Sequence, residues 1–309
     1  MGHKLWNIVL AAGAGRRLAS VTGGIPKQFW SVDGGRTLLE DTLRRSAPLA
    51  PPAQHVVVVD RAHEPYVTAL PQLAQSNRVV YQPRDRGTAV GVLLGLMDVV
   101  AAAPDALVLL TPADHGVRRP HSFVAGVRRA ALEIDAGRRQ VVLFGATPTE
   151  AVGDYGWITP GAPCAGNDAF RPVTAFSEKP ALDTARRLFE SGAVWNTMVL
   201  LARASALLEL YRQHLPSLID SFLPALSMSA PERPAVLQEQ YDQVPAADFS
   251  RDLLTHAGGL SVYTWPAALG WSDLGTPDRL ARWRAMDFVG RTTRALRDGT
   301  APQRLQPAS

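Results

Sequence analysis

Only three of the 32 basic residues in this 309-residue chain are lysines, Lys4, Lys27 and Lys179; the other 29 are arginines. A chain that uses arginine wherever either cation would serve keeps a lysine where a compact point charge on a flexible stem has a task. Lys4 sits in no recognisable pattern and is read as chance. Lys27 lies in Ile25-Pro26-Lys27-Gln28-Phe29 and Lys179 in Phe176-Ser177-Glu178-Lys179-Pro180. Two features suit such cations to phosphate chemistry. The first is the glycine-rich string Leu10-Ala11-Ala12-Gly13-Ala14-Gly15-Arg16-Arg17-Leu18, which directly follows an apolar run. Turns of this kind bring backbone N–H groups close to phosphates. The second is Asp114, which closes the apolar run Leu107–Thr111. An acid at a strand's carboxyl end lies in the crevice where ligands of open α/β sheets bind.

Three readings of the glycine-rich string compete, beside the bland one of a tight strand-to-helix turn. A Walker A loop requires Gly-Lys-Ser/Thr, which is absent. A dinucleotide fingerprint requires a third Gly or Ala where Leu18 stands, and an acid about 20 residues on. The acid ending the second strand, Asp60, is much too distant. The third reading is a Gly-x-Gly-x-Arg-Leu loop followed by Pro-Lys, the signature of nucleotidyltransferases.

On this loop and five further motifs in the same order, the chain resembles the sugar-1-phosphate nucleotidyltransferases, most of all the mannose-1-phosphate guanylyltransferases. The motifs are Gln82-Pro83-Arg84-Asp85-Arg86-Gly87-Thr88-Ala89, Pro112-Ala113-Asp114-His115, Asp154-Tyr155-Gly156-Trp157-Ile158, Phe176-Ser177-Glu178-Lys179-Pro180, and the pair Trp195-Asn196 with Trp271-Ser272-Asp273-Leu274-Gly275-Thr276. The resemblance covers roughly residues 5–285. It implies transfer of a nucleotidyl group from an NTP, GTP first, to a sugar 1-phosphate, mannose 1-phosphate first, with release of pyrophosphate. Little covalent work falls to the protein in such a reaction; it positions and neutralises.

The resemblance assigns catalysis to Arg17, Lys27, Asp114 and Lys179. Nucleotide binding falls to Ala12, Gly13, Gly15, Arg16, Gln82, Gly87 and Thr88. Sugar phosphate binding falls to Gly156, Glu178, Lys179 and Asn196. Mg²⁺ is the implied cofactor, with Asp114 and Asp273 as metal acids, since this ion keeps several waters and needs only one or two carboxylates beside phosphate oxygens. His115 is not read as a base, because a phosphate oxygen is already ionised. Trp157 and Trp195 are read as packing residues, and Asp60 and His63 as structural. The chain departs from the family pattern at Thr197-Met198, where Ser-Gly is usual. It departs again at Gly87, which stands where the guanylyl branch has Asn and removes a side chain that could enforce the base.

The elements that must position these groups alternate. Continuous apolar strands are expected at Leu5–Ala12, His55–Asp60, Arg78–Gln82, Ala106–Thr111 and Gln140–Ala146. Helical patterns separate them at Thr37–Ala47, Glu64–Gln75, Thr88–Ala102 and Pro120–Ala136. Such runs mean a sheet covered on both faces. The expected fold is α/β, a doubly wound and mostly parallel Rossmann-like sheet with a sugar-binding lid and a helical C-terminal segment. The nucleotidyltransferase domain is placed at residues 1–285, its nucleotide half at about 1–150 and its sugar-phosphate half at about 151–285. A basic tail follows at 286–309. In the second half, strands are expected at Tyr155–Thr159, Pro172–Phe176, Thr197–Ala202 and Leu260–Trp265. Helices are expected at Leu182–Ser191, Arg203–His214, in proline-broken pieces over 215–250, and at Pro277–Arg297.

Composition narrows the alternatives. With 46% hydrophobic and 19% charged residues the chain is globular rather than disordered. No apolar stretch approaches the ~18 residues of a membrane span, and the N-terminal run carries no signal-peptidase site. A single cysteine, Cys164, excludes a disulfide scaffold. The cytoplasm is the expected location. Seven arginines against two aspartates between Arg279 and Ser309 account for the net charge of +4. That segment reads as a solvated helix and tail, with no nucleic-acid role because no aromatic residue follows Phe288. The expected partners are the two small-molecule substrates, and a homodimer is compatible with the sequence. Alternatives are a thymidylyl or uridylyl transferase acting on glucose 1-phosphate, and a non-catalytic nucleotide-sugar regulator. A cytidylyltransferase for a polyol phosphate shares Pro-Lys-Gln-Phe but lacks Phe-x-Glu-Lys-Pro.

Overall fold

The structure is a computed structural model and describes residues 4–163, 169–228 and 232–286. Nine strands form one sheet. They are β1 (Leu5–Ala11), β2 (His55–Asp60), β3 (Arg78–Gln82), β4 (Leu107–Pro112), β6 (Val141–Ala146), β7 (Trp157–Pro160), β8 (Phe170–Ser177), β9 (Val194–Arg203) and β10 (Leu260–Trp265). The two-residue strands β5 (Gly116–Val117) and β11 (Trp271–Ser272) pair separately. The spatial order is β3-β2-β1-β4-β9-β6-β10-β8-β7, with a further pairing of β7 to β9. That last pairing closes the strands from β9 round to β7 into a small barrel.

The expectation of a doubly wound, mostly parallel sheet is corrected here: the sheet is mixed. β3, β2, β1 and β4 pair in parallel, as does β6 with β10. β9 runs antiparallel between β4 and β6, and β8 runs antiparallel to both β10 and β7. The reason is connectivity. A parallel pair needs a long crossover, whereas β7 and β8 follow one another without a helix and pair as a hairpin. The apolar runs of β2, β4 and β6 are buried almost throughout, as strands covered on both faces require. One face packs the helix Thr88–Ala102 with the helices Ala204–His214 and Pro216–Phe222; the other packs Pro120–Asp135.

Local chemistry fixes the element ends. Thr37 caps the helix Leu38–Ser46 through a capping box with Glu40, whose carboxylate accepts the Thr37 N–H at 2.7 Å, an arrangement that satisfies two otherwise orphaned donors. The helix expected over Glu64–Gln75 is two short ones, Glu64–Thr68 and Pro71–Ser76. Pro71 cannot donate to the preceding turn and clashes with it, so the first piece stops ahead of it. The terminal helix is described only over residues 277–286; the rest of that expected helix, the basic tail and Cys164 lie outside the described residues.

Candidate active site

β1 delivers the chain into the glycine-rich loop at the carboxyl edge of the sheet. Gln28, buried at 2% exposure, donates from Nε2 to the carbonyls of Ala11 (2.7 Å) and Gly13 (3.1 Å). That one side chain pins both ends of the turn. Gly15 sits at φ 61° and its Cα lies so near Lys27 that a Cβ there would fall 3.1 Å from the Lys27 backbone nitrogen. The loop and the Pro-Lys segment are therefore one packed unit.

Lys27 is 5% exposed. Its Nζ lies 3.0 Å from the Asp114 carboxylate and donates to the backbone carbonyl of Asp273. Asp114 stands just past the end of β4, with about a third of its side chain open. Burial is the largest single influence and pushes its pKa up, but the Lys27 ammonium together with His115 and the backbone hydrogen bond holds the carboxyl below the usual aspartate value. His115 Nε2 is 3.7 Å from Asp114. Burial lowers the pKa of this imidazole, so the ring is neutral and packs edge-on against Trp271 at 5.3 Å.

The carboxylate of Asp273 is already occupied. It accepts from the Tyr155 hydroxyl at 2.9 Å, the Gly275 N–H at 3.1 Å and Arg279 Nη1 at 3.0 Å. Arg279 also bonds Asp154 at 3.0 Å and covers the Tyr155 ring at 4.3 Å. Burial, with Asp273 close by, drives the Tyr155 pKa far upward, so its phenol stays protonated and donates. The reading of Arg279 as part of a solvated basic segment is thus corrected: its side chain is 9% exposed, because two acids and an aromatic face surround it.

A cavity of about 400 Å³ opens beside the loop. Among its lining residues are Ala12, Gly13, Gln82, Gly87, Thr88 and Asp114. Asp85, Met198 and Asp248 line it as well. Arg16 and Arg17 are exposed and do not line it; Arg17 lies 3.9 Å from Asp154 instead. Two expected base contacts have partners of their own. Gln82 Oε1 accepts from the Tyr241 hydroxyl at 3.1 Å. The Thr88 hydroxyl accepts the Phe249 N–H at 2.8 Å and lies 3.2 Å from Asp248. Gly87 has a backbone reason to be glycine. At φ 85° and ψ 166° it occupies a region only glycine favours, and a Cβ would stand 2.3 Å from the Ala247 carbonyl oxygen.

β7, β8 and β9 bring together the residues expected on the sugar side. A Cβ on Gly156 would meet Glu178 Oε2 at 2.7 Å and Asn196 Cβ at 3.2 Å, and the Gly156 carbonyl accepts the Asn196 N–H at 2.7 Å. Lys179 is 63% exposed along its side chain and lies 2.9 Å from Glu178. The departure at Thr197-Met198 coincides with a bulge, since the β6–β9 register steps from Phe144↔Val199 to Gly145↔Asn196. Met198 there has φ 56°, a conformation glycine adopts freely and other residues at a cost of roughly 1–2 kcal/mol. Asn196 Oδ1 accepts the Met198 N–H at 3.1 Å and steadies it, while the thioether accepts from the Ser250 hydroxyl at 3.1 Å. Trp157 and Trp195 are buried.

The nucleotidyl transferase family pattern matches residues 6–289. The chain belongs to that family. Among relatives, a mannose-1-phosphate guanylyltransferase of Salmonella typhimurium is 31% identical over 276 residues, 87% of this chain and 56% of that protein. One of Escherichia coli is 30% identical over 284 residues, covering 88% and 58%. This nucleotidyl transferase chain therefore spans little more than half the length of the curated relatives it matches. A solved structure from Thermus thermophilus, described as a mannose-1-phosphate geranyltransferase, superposes with a TM-score of 0.77 at 30% identity over 88% of this chain and 76% of that one.

Sequence reasoning missed Gln28, Tyr155, Arg279 and Asp248. Gln28 and Tyr155 stood inside quoted motifs, beside residues that drew attention by charge. Arg279 was hidden in a count of tail arginines, and Asp248 lies in a stretch with no motif.

Proposed function

We propose that this chain transfers a guanylyl group from GTP to mannose 1-phosphate, forming GDP-mannose and pyrophosphate. The observation that carries this reading is the Lys27–Asp114 pair, which joins the segment packed on the glycine-rich loop to the end of β4, where Asp114 lines the nucleotide-sized cavity. The names of the relatives supply the base and the sugar.

The chemistry follows from the placement of charge. A phosphate oxygen of the sugar phosphate attacks the α-phosphorus of the nucleotide in line; the new P–O bond forms as the bond from the α-phosphorus to the bridging oxygen breaks, and pyrophosphate departs with the electron pair. No proton moves, which fits a neutral, buried His115. The loop N–H groups and the Lys27 ammonium face the nucleotide phosphates. Exposed Lys179 swings from Glu178 to the incoming sugar phosphate, and Glu178, Asn196 and the Gly156 backbone meet the hydroxyls. The expected lid on this side is β7 and β8 with the turn that carries Glu178 and Lys179.

The donor set fits a divalent cation held mainly by substrate. Among the described residues no group of three or more His, Cys, Asp or Glu is placed to hold a metal by itself. Asp114 is an open carboxylate beside the cavity, and one carboxylate plus phosphate oxygens and waters suffices for Mg²⁺. Asp273 would join only by giving up Tyr155 or Arg279. When bound, the ion would neutralise charge on the transferring phosphates. A pyrophosphate-release assay over four NTPs and several sugar 1-phosphates tests the proposal. Preference for GTP with mannose 1-phosphate is expected, and preference for dTTP with glucose 1-phosphate would overturn the base and sugar.

A further inference from the structure

A second cavity, of about 420 Å³, lies next to the nucleotide cavity, and His115 lines both. Its walls carry four arginines, Arg36, Arg44, Arg45 and Arg118, with His115 and His121. Two acids face them. Asp41 is bonded by Arg36 at 3.0 Å. Asp33 accepts the Gly35 N–H at 3.1 Å. Positive charge is in excess, and none of it is used by the reaction above.

Arg45 decides the matter. It lies in the last turn of the helix Leu38–Ser46 and is 8% exposed. Its guanidinium donates to the Thr42 hydroxyl at 3.1 Å and to the His115 carbonyl at 3.4 Å, and lies 5.2 Å from the Phe123 ring centre. These are neutral partners. Among the described residues no carboxylate lies within ion-pair distance of it, and its buried Nε has no hydrogen-bond partner. Asp41, one turn earlier, acts on it only at longer range. Buried charges in proteins are paired, because desolvation is costly without a counter-charge. A basic residue in the last turn gains something from the helix dipole, but that does not explain why four arginines line one hollow, of which Arg36 is paired with Asp41 and Arg118 lies on the Trp283 ring.

We propose that this hollow is a second anion site, which takes the phosphate group of a small molecule or inorganic phosphate between Arg44, Arg45 and the neighbouring cations, separate from the nucleotide cavity. A planar guanidinium fork matches phosphate oxygens, and the volume admits more than a bare ion.

The experiment titrates inorganic phosphate and, separately, glucose 6-phosphate into the full chain. Tryptophan fluorescence is the readout, since Trp283 borders the hollow. Arg45→Met and Arg44→Gln are compared with Lys27→Met, which removes the partner of Asp114 in the wall of the other cavity. A saturable signal is expected for at least one probe. It should weaken about tenfold in Arg44→Gln, the loss of one charge-assisted contact, vanish in Arg45→Met, and survive in Lys27→Met. Response to both probes would mark a site for phosphate itself, and response to glucose 6-phosphate alone a site for a phosphorylated metabolite. Arg44 is exposed, so its variant keeps the test valid if Arg45→Met does not fold. No binding of either probe at millimolar concentration, or binding lost in Lys27→Met and untouched by Arg44→Gln, would overturn the proposal.

Discussion

Replacing Gly87 by alanine should unfold one wall of the cavity beside the glycine-rich loop, and the size of the effect can be built up from its separate causes. The backbone at φ 85°, ψ 166° costs a residue with a Cβ about 1–3 kcal/mol. The Cβ would also stand 2.3 Å from the Ala247 oxygen and 2.9 Å from its carbonyl carbon. Relieving that overlap must push apart segments of chain tied by Ala89 N–H to Ala247 O and Ala247 N–H to Arg86 O, both 2.9 Å. Each lost bond is worth about 1 kcal/mol, more if a buried group is left unpaired. The sum is about 3–5 kcal/mol, a large share of the ~5–15 kcal/mol that holds a typical protein folded. Urea denaturation with two companions separates the causes. Gly23→Ala has φ 63° but open space, and Gly13→Ala has open space without the left-handed backbone. Gly13→Ala should lie within about 0.5 kcal/mol of wild type, and Gly23→Ala should lose about 1 kcal/mol. A Gly87→Ala loss no greater than that of Gly23→Ala would refute the steric argument.

Four further outcomes are expected. Asp114→Asn should retain the fold by circular dichroism yet lose turnover by several kcal/mol of barrier; near wild-type turnover would remove Asp114 from the chemistry. Because the folded carboxyl of Asp114 is held below its ordinary value of 3.8, the stability it contributes is present above that pH and is lost as pH falls through the lower folded value. The wild-type advantage over Asp114→Asn in urea melts should therefore shrink in acid, and a constant advantage would contradict the Lys27 pairing. Lys179→Ala should raise KM for the sugar phosphate and leave KM for the NTP unchanged, whereas Lys27→Ala should chiefly impair NTP use; equal defects toward both substrates would undo that division. Arg279→Met should cost about 2–4 kcal/mol, discounted from a fully buried pair because Asp154 is half exposed, and a denaturation midpoint equal to wild type would show that Asp273 does not depend on it.

The strands of the first half could be read almost to the residue, since β2 and β3 and the helix Thr88–Ala102 follow from uninterrupted apolar runs bounded by Gly, Pro and Asp. Direction could not. An apolar run such as Thr197–Ala202 signals burial on both faces, yet whether its neighbours run with it or against it depends on the connections around it. The candidate site could be read where a motif marks each residue singly, as for Lys27 and Asp114, or Gly156, Glu178 and Asn196, which the structure brings into contact. It was illegible where function is shared through contacts. That Asp273 is saturated by Tyr155 and Arg279, or that the Thr88 hydroxyl fastens Phe249, depends on side chains brought from far along the chain, and no local spacing encodes it.

The place of β9 also sets the order in which this protein can be assembled. β4 and β6 are separated by 28 residues in sequence but never touch as neighbours; the slot between them is filled by residues 194–203. Until those residues leave the ribosome, β4 presents an unpaired apolar edge and β6 has no partner from the first half. A fragment ending near residue 150 would hold the whole glycine-rich loop, Lys27 and Asp114, and still be a sheet with an open seam at its middle, prone to pair with other chains. The strand that carries Asn196 is thus the one whose arrival joins β4, at whose end Asp114 stands, to the second half of the sheet. Synthesis of one half of the site without the other yields no working half.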